Sequence, residues 1–346
     1  MPSVTIDPGV LAAPPLGTPR ENVLRYVETL LDWRSLIDEP WGAVYMSERA
    51  STILIEDGFY PLRRSLRDLF VSNGIVEYDT NTVAQLAETL LRMTPTFEDQ
   101  FKVRDVLYEN LSIVPDLLSI HSTVGLKTDL ARCAILIALL RTHCRRPIVD
   151  HALVVRPWGG RTDVHLQALI HEVEHSRNDL LPLPVPPEYC TGSIVVCQSF
   201  REFILNIDPV VVWETASDEM GFVLAVQIAL YQSRYHRGLN PVWEGIIDFR
   251  LGRQFTGTAN ACCRNNPQAL LRSVLRAMVE TIDRLQLKDV HALRISDSGG
   301  APQRTRGDDK AWRRDIDVEY HLHYWECEDG IEFGSVGPHN DFSIPA

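Results

Sequence analysis

Apolar residues recur every three or four positions through the first 145 residues, which is the period of an amphipathic helix. Thr18, Pro19 and Glu21 indicate a helix start, with a capping hydroxyl, a proline in the first helical position and an early acid. The pattern predicts helices at about 19–36, 60–74, 79–93, 97–111 and 126–144. Residues 1–19, which are rich in proline, are predicted to form an irregular arm.

The pattern becomes mixed after residue 145. A strand is predicted at 151–158 and is ended by Gly159 and Gly160, and a helix follows at 161–179 with Thr162 or Asp163 as its cap. A short strand at 192–197, a long helix at 209–236 and a helix at 265–285 come next. A polar linker at 296–310 precedes two strand-like runs, 318–325 and 331–336, which a break at 328–330 joins into a hairpin.

These elements predict an α+β protein that is mainly helical and has a C-terminal β-hairpin segment. Four regions follow from them along the chain: the arm at 1–19, a helical region at 20–145, a mixed region at 146–290, and the linker with the β segment at 291–346. A chain of 346 residues is long enough for one large domain or two ordinary ones.

Composition narrows the possible partners. Hydrophobic residues make up 45% and charged residues 23%, as in ordinary globular proteins, and the formal net charge is -12. So acidic a chain has no overall electrostatic attraction for nucleic acid or an anionic membrane, and neither partner is expected, although a local basic patch remains possible. The apolar runs at 133–140 and 221–231 are too short to cross a bilayer.

The cysteines and the N-terminus predict a soluble, cytoplasmic protein. The seven cysteines are scattered, odd in number and without a C-x-x-C pair, which favours free thiols in a reducing compartment. The N-terminus lacks the basic start and apolar run of a secretory signal.

The stretch ALIHEVEHSRND at 168–179 contains the pattern H-E-x-x-H in His171, Glu172 and His175. On the predicted helix, residues four apart share a face, so both imidazoles could bind one metal ion beside Glu172. A catalytic zinc usually has a third protein ligand. Glu214 and Asp218 are four apart in an apolar segment that is predicted to be buried, where carboxylates need a partner or a metal.

H-E-x-x-H followed by a helix with E-x-x-x-D resembles the gluzincin peptidases, the thermolysin-like branch of the zincins, over about residues 153–230. The resemblance implies a Zn²⁺ cofactor held by His171, His175 and Glu214 in a zincin-like core at 146–290, with Asp218 hydrogen-bonded to a ligating histidine. Glu172 would then activate a zinc-bound water that hydrolyses a peptide bond in a peptide or protein substrate. The charge of Glu174 between the two histidines departs from the family pattern.

A different class of function stays open. The chain would then be a non-enzymatic helical interaction or scaffold protein, and the H-E-x-x-H segment would be structural or degenerate. Arg284 and His291 loosely fit the Arg–His spacing of some helical ribonucleases, but Leu285 stands where a polar residue is expected. Oligomeric state is not determined by the sequence.

The C-terminal histidines have two interpretations. His321 and His323 alternate on one face of a predicted strand, with Glu328 and His339 nearby, and a cupin-like metal site uses H-x-H followed by a glutamate. The chain ends before the remaining barrel strands of such a fold. The histidines are therefore predicted to be exposed-face residues of the hairpin, and the basic run at 310–315 a solvated turn.

Overall fold

We describe a computed structural model of the chain over residues 2–39, 41–144, 148–160, 162–175, 188–243, 249–263, 267–296, 298 and 300–345. Within these residues the protein is α/β, with twelve α-helices and two mixed sheets of six strands each. The chain divides into two compact units, Met1–Asn206 and Ile207–Ala346. The predicted mainly helical α+β fold is wrong because sheets occupy both halves of the chain, whereas the sequence pattern predicts only four strands.

The first unit contains one of the sheets and eight of the described helices. Its strands are β1 (Ser3–Ile6), β2 (Ala43–Met46), β3 (Val103–Val114), β4 (His151–Val154), β5 (Asp163–His175) and β6 (Glu188–Cys197). Its helices are α1 (Pro8–Leu11), α2 (Arg20–Asp38), α3 (Ala50–Glu56), α4 (Arg63–Asn73), α5 (Thr80–Met93), α6 (Phe97–Phe101), α7 (Val124–Thr142) and α8 (Phe200–Asn206).

The first sheet has the strand order β2-β1-β4-β6-β5-β3. The neighbours β2, β1, β4 and β6 are parallel, and β5 runs antiparallel to both β6 and β3. Short apolar runs such as those of β1 and β4 are typical of parallel strands covered on both faces. Helix α7 is buried almost throughout and packs on this sheet, where Leu136 and Ile137 join Leu166 and Ile194 in one hydrophobic cluster.

Two predictions in the first unit are wrong. The supposed arm at 1–19 contains β1, which lies inside the sheet between β2 and β4, and α1, which Asp7 caps by accepting a hydrogen bond from the N–H of Gly9. The predicted helix at 97–111 ends at Phe101, since Lys102 adopts a left-handed backbone with φ of 59° and β3 begins at Val103.

The predicted helix at 161–179 is also wrong in its described part, 162–175, which forms strand β5. The inward side chains Val164, Leu166, Ala168 and Ile170 are buried and alternate with more exposed ones, which is the period of a strand. Strands β3 and β6 hydrogen-bond to its two edges. The H-E-x-x-H residues therefore lie on a sheet and not on a helix.

The second unit contains the other sheet and four of the described helices. The helices are α9 (Pro209–Thr215), α10 (Glu219–His236), α11 (Phe255–Cys262) and α12 (Pro267–Ile282). The strands are β7 (Phe249–Leu251), β8 (Val290–Ala292), β9 (Thr305–Arg306), β10 (Asp309–Asp315), β11 (Tyr320–Cys327) and β12 (Gly330–Pro338). Their order is β7-β12-β11-β10-β8, with β9 paired to β10, and every neighbour is antiparallel except β7 beside β12.

The C-terminal hairpin and the helix near 265–285 are confirmed as β11–β12 and α12. The single long helix at 209–236 is wrong, because α9 ends at Thr215 and Asp218 caps a separate helix, α10, by accepting from the N–H of Gly221 at 2.9 Å. The linker at 296–310 contains β9 and the start of β10, so the predicted solvated turn at 310–315 is a strand within the sheet. Among the described helices, none is both long and apolar enough to cross a membrane.

Candidate functional site

One face of the second sheet is covered by helices. Residues that lie opposite one another in antiparallel strands share a face, and Leu322 of β11 lies opposite Arg314 of β10 and Val336 of β12. Leu322 and Val336 are buried, and the Arg314 guanidinium donates to the hydroxyl of Thr281 in α12 at 2.8 Å. The side chains of this row therefore point toward α12.

The other face carries most of the unit's strand histidines. Side chains alternate along a strand, so the neighbours of the Leu322 row point away from α12. We call this surface the histidine face, and by strand register it presents two adjacent rows: His291, Arg313, His323 and Ser335 in one, and Asp315 with His321 in the other. The segment 339–345 crosses part of it, where the Ser343 carbonyl accepts from His323 Nδ1 at 2.9 Å and the Pro345 carbonyl from Trp325 Nε1 at 3.0 Å.

A chain of contacts runs from the buried His321 to the surface. His321 Nε2 lies 3.0 Å from Asp315 Oδ1 and 3.1 Å from His339 Nδ1. Asp315 Oδ2 is 3.7 Å from His291 Nε2. The His321 side chain is 1% exposed, whereas those of Asp315 and His291 are 43% and 48% exposed and His339 is exposed. A buried imidazole is thus connected to two exposed ones.

The protonation state of His321 follows from its surroundings. Burial, together with the positive charge of Arg313, lowers the pKa of His321 to about 4, although Asp315 opposes this shift. The imidazole is therefore neutral at neutral pH. Its Nε2 is hydrogen-bonded to His339 Nδ1, so one of these two nitrogens donates and the other accepts. The other ring nitrogen, Nδ1, is buried and has no hydrogen-bond partner among the residues that the structure describes.

Positive charge lies beside these imidazoles. Burial lowers the pKa of His323, and the charges of Arg313 and Arg304 lower it further, although the hydrogen bond to Ser343 and the charge of Asp341 oppose the shift. The Arg313 guanidinium lies 5.9 Å from the centre of the Phe342 ring. Within the described part of the chain, neither the buried Nε of Arg313 nor the buried Nε2 of His323 has a hydrogen-bond partner. Buried polar atoms without partners are uncommon and often mark a site that is completed by a ligand or water.

The predicted zinc residues of the first unit are not arranged as a helix would place them. His171 and His175 are four residues apart on β5, so their Cα atoms are separated by roughly 13 Å along the strand instead of about 6 Å along a helix. Glu172 is exposed, whereas the flanking His171 and Val173 are partly buried. His171 Nε2 lies 3.4 Å from Glu109 Oε2, without hydrogen-bond geometry.

The other two predicted zinc residues belong to the second unit. Glu214 lies in the last turn of α9 and Asp218 caps α10, and both are exposed, so the predicted burial of these carboxylates is wrong. Across the described residues there is no group of three or more histidines, cysteines, aspartates or glutamates that could hold a metal ion. The helix on which the zinc prediction depends is therefore absent, and the zinc site itself stays a prediction.

The sequence interpretation of the C-terminal histidines is corrected as well. His321 and His323 are almost fully buried and are not exposed residues of a hairpin. One signal in the sequence could have indicated their partners. Asp315 and Arg313 stand three and five residues before Val318, and His321 and His323 stand three and five residues after it. A β10–β11 hairpin that turns at Val318 therefore pairs Asp315 with His321 and Arg313 with His323.

The first unit contains a different buried cluster, centred on Arg132. Its guanidinium donates to Glu98, to Asp129 at 2.9 Å, to the hydroxyl of Ser47 at 2.8 Å and to the carbonyl of Arg104 at 2.6 Å. Burial raises the pKa of both Glu98 and Asp129, although Arg132 opposes each shift. This cluster is an ion-pair network with its cation at the centre.

Comparison of the chain with family models, with curated proteins and with solved structures gives no match in any of the three.

Proposed function

We propose that the histidine face is the active site of an acid–base enzyme that cleaves phosphodiester bonds in RNA. The observation that carries the proposal is the contact of His321 with both His339 and Asp315, which connects a buried neutral imidazole to the surface. Proton transfer by positioned histidines is the commonest form of general acid–base catalysis.

RNA suits the groups that this face provides. The 2′-hydroxyl of RNA supplies the nucleophile, so the protein needs a base, an acid and a cation but no attacking side chain. The 2′-oxygen loses its proton to the base and attacks phosphorus, and the bond from phosphorus to the 5′-oxygen breaks. The acid protonates the departing 5′-oxygen, which leaves a 2′,3′-cyclic phosphate and a 5′-hydroxyl.

The structure supports particular roles for the residues. His339 and His291 are exposed on either side of Asp315 and supply the two imidazoles that exchange protons with substrate. Asp315 and His321 are positioning residues, because His321 Nε2 contacts Asp315 and holds the imidazole of His339 through its Nδ1. Arg313 supplies positive charge for the phosphate as negative charge develops on it.

The proposal departs from two expectations based on the sequence. No nucleic-acid partner was expected from the net charge of -12, but net charge describes the whole chain and not one face of one sheet. The zinc-dependent peptidase, with its peptide or protein substrate, remains a prediction that zinc content of the purified protein would test. We also propose a reducing, cytoplasmic compartment, which all seven cysteines being free thiols supports.

The test is cleavage of a single-stranded RNA oligonucleotide in the presence of EDTA, beside DNA of the same sequence. We expect cleavage of RNA alone, since DNA lacks the 2′-hydroxyl. We expect the variant His339→Gln to lower the initial rate by roughly 10²- to 10⁴-fold. His236→Gln is the matched control, because His236 is an exposed histidine of the same unit at the end of α10.

Three results would count against the proposal: equal cleavage by wild type and His339→Gln, cleavage of DNA at the same rate, or no cleavage of RNA. Loss of activity in EDTA that returns with added zinc would instead favour a metal-dependent enzyme, and the zinc prediction would then be examined first.

A further inference from the structure

We propose that a pocket in the first unit binds a small organic anion, independently of the histidine face. The pocket has a volume of about 400 Å³ and lies at the carboxyl ends of β1 and β4. Val155 and Arg156, which directly follow β4, form part of its wall, and so do Val10 and Ala12, which follow β1. The volume is within the range of small-molecule sites in proteins.

The position of the pocket in the sheet is one where ligands bind. Strand β1 lies between β2 and β4, so the chain leaves β1 toward one side of the sheet and later returns to its other side. In open sheets with parallel strands, such a reversal opens a crevice outside the carboxyl ends of the strands. The pocket is lined by the segments that follow β1 and β4, the two neighbouring strands at this reversal.

The charged side chains that line the pocket, among the described residues, are both positive. Arg25 and Arg156 are among the residues that line it, and no aspartate or glutamate is among the described ones that do. Within the described part of the chain, neither guanidinium is paired with a carboxylate. In a chain with a formal net charge of -12, two arginines without acidic partners in one pocket select for an anion.

Arg156 is held in place by the protein. One of its terminal nitrogens donates to the carbonyl of Ile120 at 2.6 Å and lies 3.3 Å from His121 Nδ1. The opposite nitrogen of His121 is 2.8 Å from the buried carboxylate of Asp7. The remaining guanidinium nitrogens have no hydrogen-bond partner among the described residues and are available to a ligand, and a guanidinium presents its N–H groups in the geometry of a carboxylate or phosphate.

The neutral residues of the pocket define the rest of the ligand. Gln198 accepts through Oε1 from the N–H groups of Trp158 and Gly159, at 2.5 and 3.2 Å, so its amide NH₂ is the group left to donate. Most of the apolar wall is aliphatic or proline, as at Val10, Pro14 and Val155, and the neutral polar side chains Thr18, Asn22 and Thr29 line the pocket as well. A ligand with an anionic group and a partly apolar body that fits a volume of about 400 Å³ matches both parts.

The experiment is titration calorimetry of the full chain with two pairs of probes at 0.15 M salt, roughly the ionic strength at which exposed charges are screened beyond about 8 Å. The pairs are AMP with adenosine, and benzoate with benzyl alcohol, and each pair differs in its anionic group. We expect at least one anion to bind and its uncharged counterpart to bind at least about tenfold more weakly. The pair that shows this difference distinguishes a phosphate ligand from a carboxylate ligand.

The variants locate the binding. Arg25 is exposed on α2, so Arg25→Gln should keep the fold and weaken binding of the anion by about tenfold, the loss expected for one charge-assisted contact. Arg67→Gln, an exposed arginine of α4 outside the pocket, should leave the Kd unchanged. The proposal is overturned if neither anion binds at millimolar concentration, if the uncharged probes bind equally well, or if Arg67→Gln weakens binding as much as Arg25→Gln.

Discussion

Two clusters of buried ionisable groups, one in each unit, differ in how their charges are balanced. In the first unit, Arg132 lies between Glu98 and Asp129, and its donors are satisfied by these carboxylates, a hydroxyl and a carbonyl. In the second unit, the contacts from His321 lead outward to the exposed His339 and to the half-exposed Asp315.

This difference in charge balance indicates a structural role for the Arg132 cluster and a chemical role for the histidine cluster. A buried ion-pair network specifies one arrangement of the core, and removing its cation leaves uncompensated charge. The histidine cluster is neutral at its buried end, since the pKa of His321 is lowered to about 4, and the partners of His321 are at the surface. The first cluster should therefore respond to mutation through stability, and the second through activity.

The largest expected effect is that of Arg132→Met. The substitution removes the cation and leaves Glu98 and Asp129 buried without it, which should lower the free energy of unfolding by about 3–5 kcal/mol. Urea denaturation of wild type and variant at pH 7 measures the difference. RNA cleavage per folded molecule should be unchanged, because Arg132 belongs to the other unit.

A compensated variant is the control for this prediction. Combining Arg132→Met with Glu98→Gln and Asp129→Asn removes the charges together, so it should recover a substantial part of the lost stability. If Arg132→Met were no less stable than wild type, or if the triple variant were less stable than the single one, the ion-pair interpretation of this cluster would be wrong.

The next effect concerns His151, a buried imidazole at the start of β4. Its nitrogens contact the hydroxyls of Ser3 at 2.8 Å and Thr5 at 2.9 Å, and burial, with a smaller contribution from Arg141, lowers its pKa from 6.5 to about 3. The unfolded chain therefore binds a proton at higher pH than the folded one. Stability is fully present above pH 6.5 and falls as the pH is lowered, by roughly 3 kcal/mol between pH 6.5 and pH 4.

His151→Gln isolates this contribution, because glutamine can bond to both hydroxyls but does not titrate. Unfolding free energies measured at pH 7, 5.5 and 4 should fall more steeply for the wild type than for the variant, because only the wild type gains a proton at position 151 when it unfolds. A difference between the two proteins that stays constant with pH would contradict the lowered pKa.

Elements with a long, regular pattern could be predicted from the sequence. Helices α4, α5 and α12 each have two or more turns of apolar residues at helical spacing, and they lie close to the predicted ranges. Strands β1, β2, β7 and β8 have three or four residues each, too few to show a period, and they owe their conformation to their neighbours in the sheets.

The candidate sites could be predicted only in part. The local sequence pattern shows which residues share a face of an element, whereas burial and side-chain partners depend on pairing with distant segments. The segment 164–170 alternates with the period of a strand, but the H-E-x-x-H pattern favoured a helix there. The sequence predicts that His321 and His323 lie on one face of a strand. Their burial depends on the segment 339–345, and their charged partners depend on the β10–β11 register, neither of which the local pattern contains.

The smallest expected effect on stability is that of His339→Gln, and it is the sharpest test of the comparison. His339 is exposed, and its side-chain contact is the one with His321 Nε2, which glutamine can also reach. The free energy of unfolding should therefore change by less than about 0.5 kcal/mol, as for most surface substitutions.

The same variant should lose most RNA cleavage while it keeps its stability. Arg132→Met should show the opposite result, with lower stability and unchanged cleavage. A loss of more than about 1 kcal/mol in His339→Gln, measured by the same urea denaturation, would place the histidine contact with the structural networks. The imidazoles would then have a structural role, like that of Arg132 in its ion pairs, and the proposal that this face is the active site would be wrong.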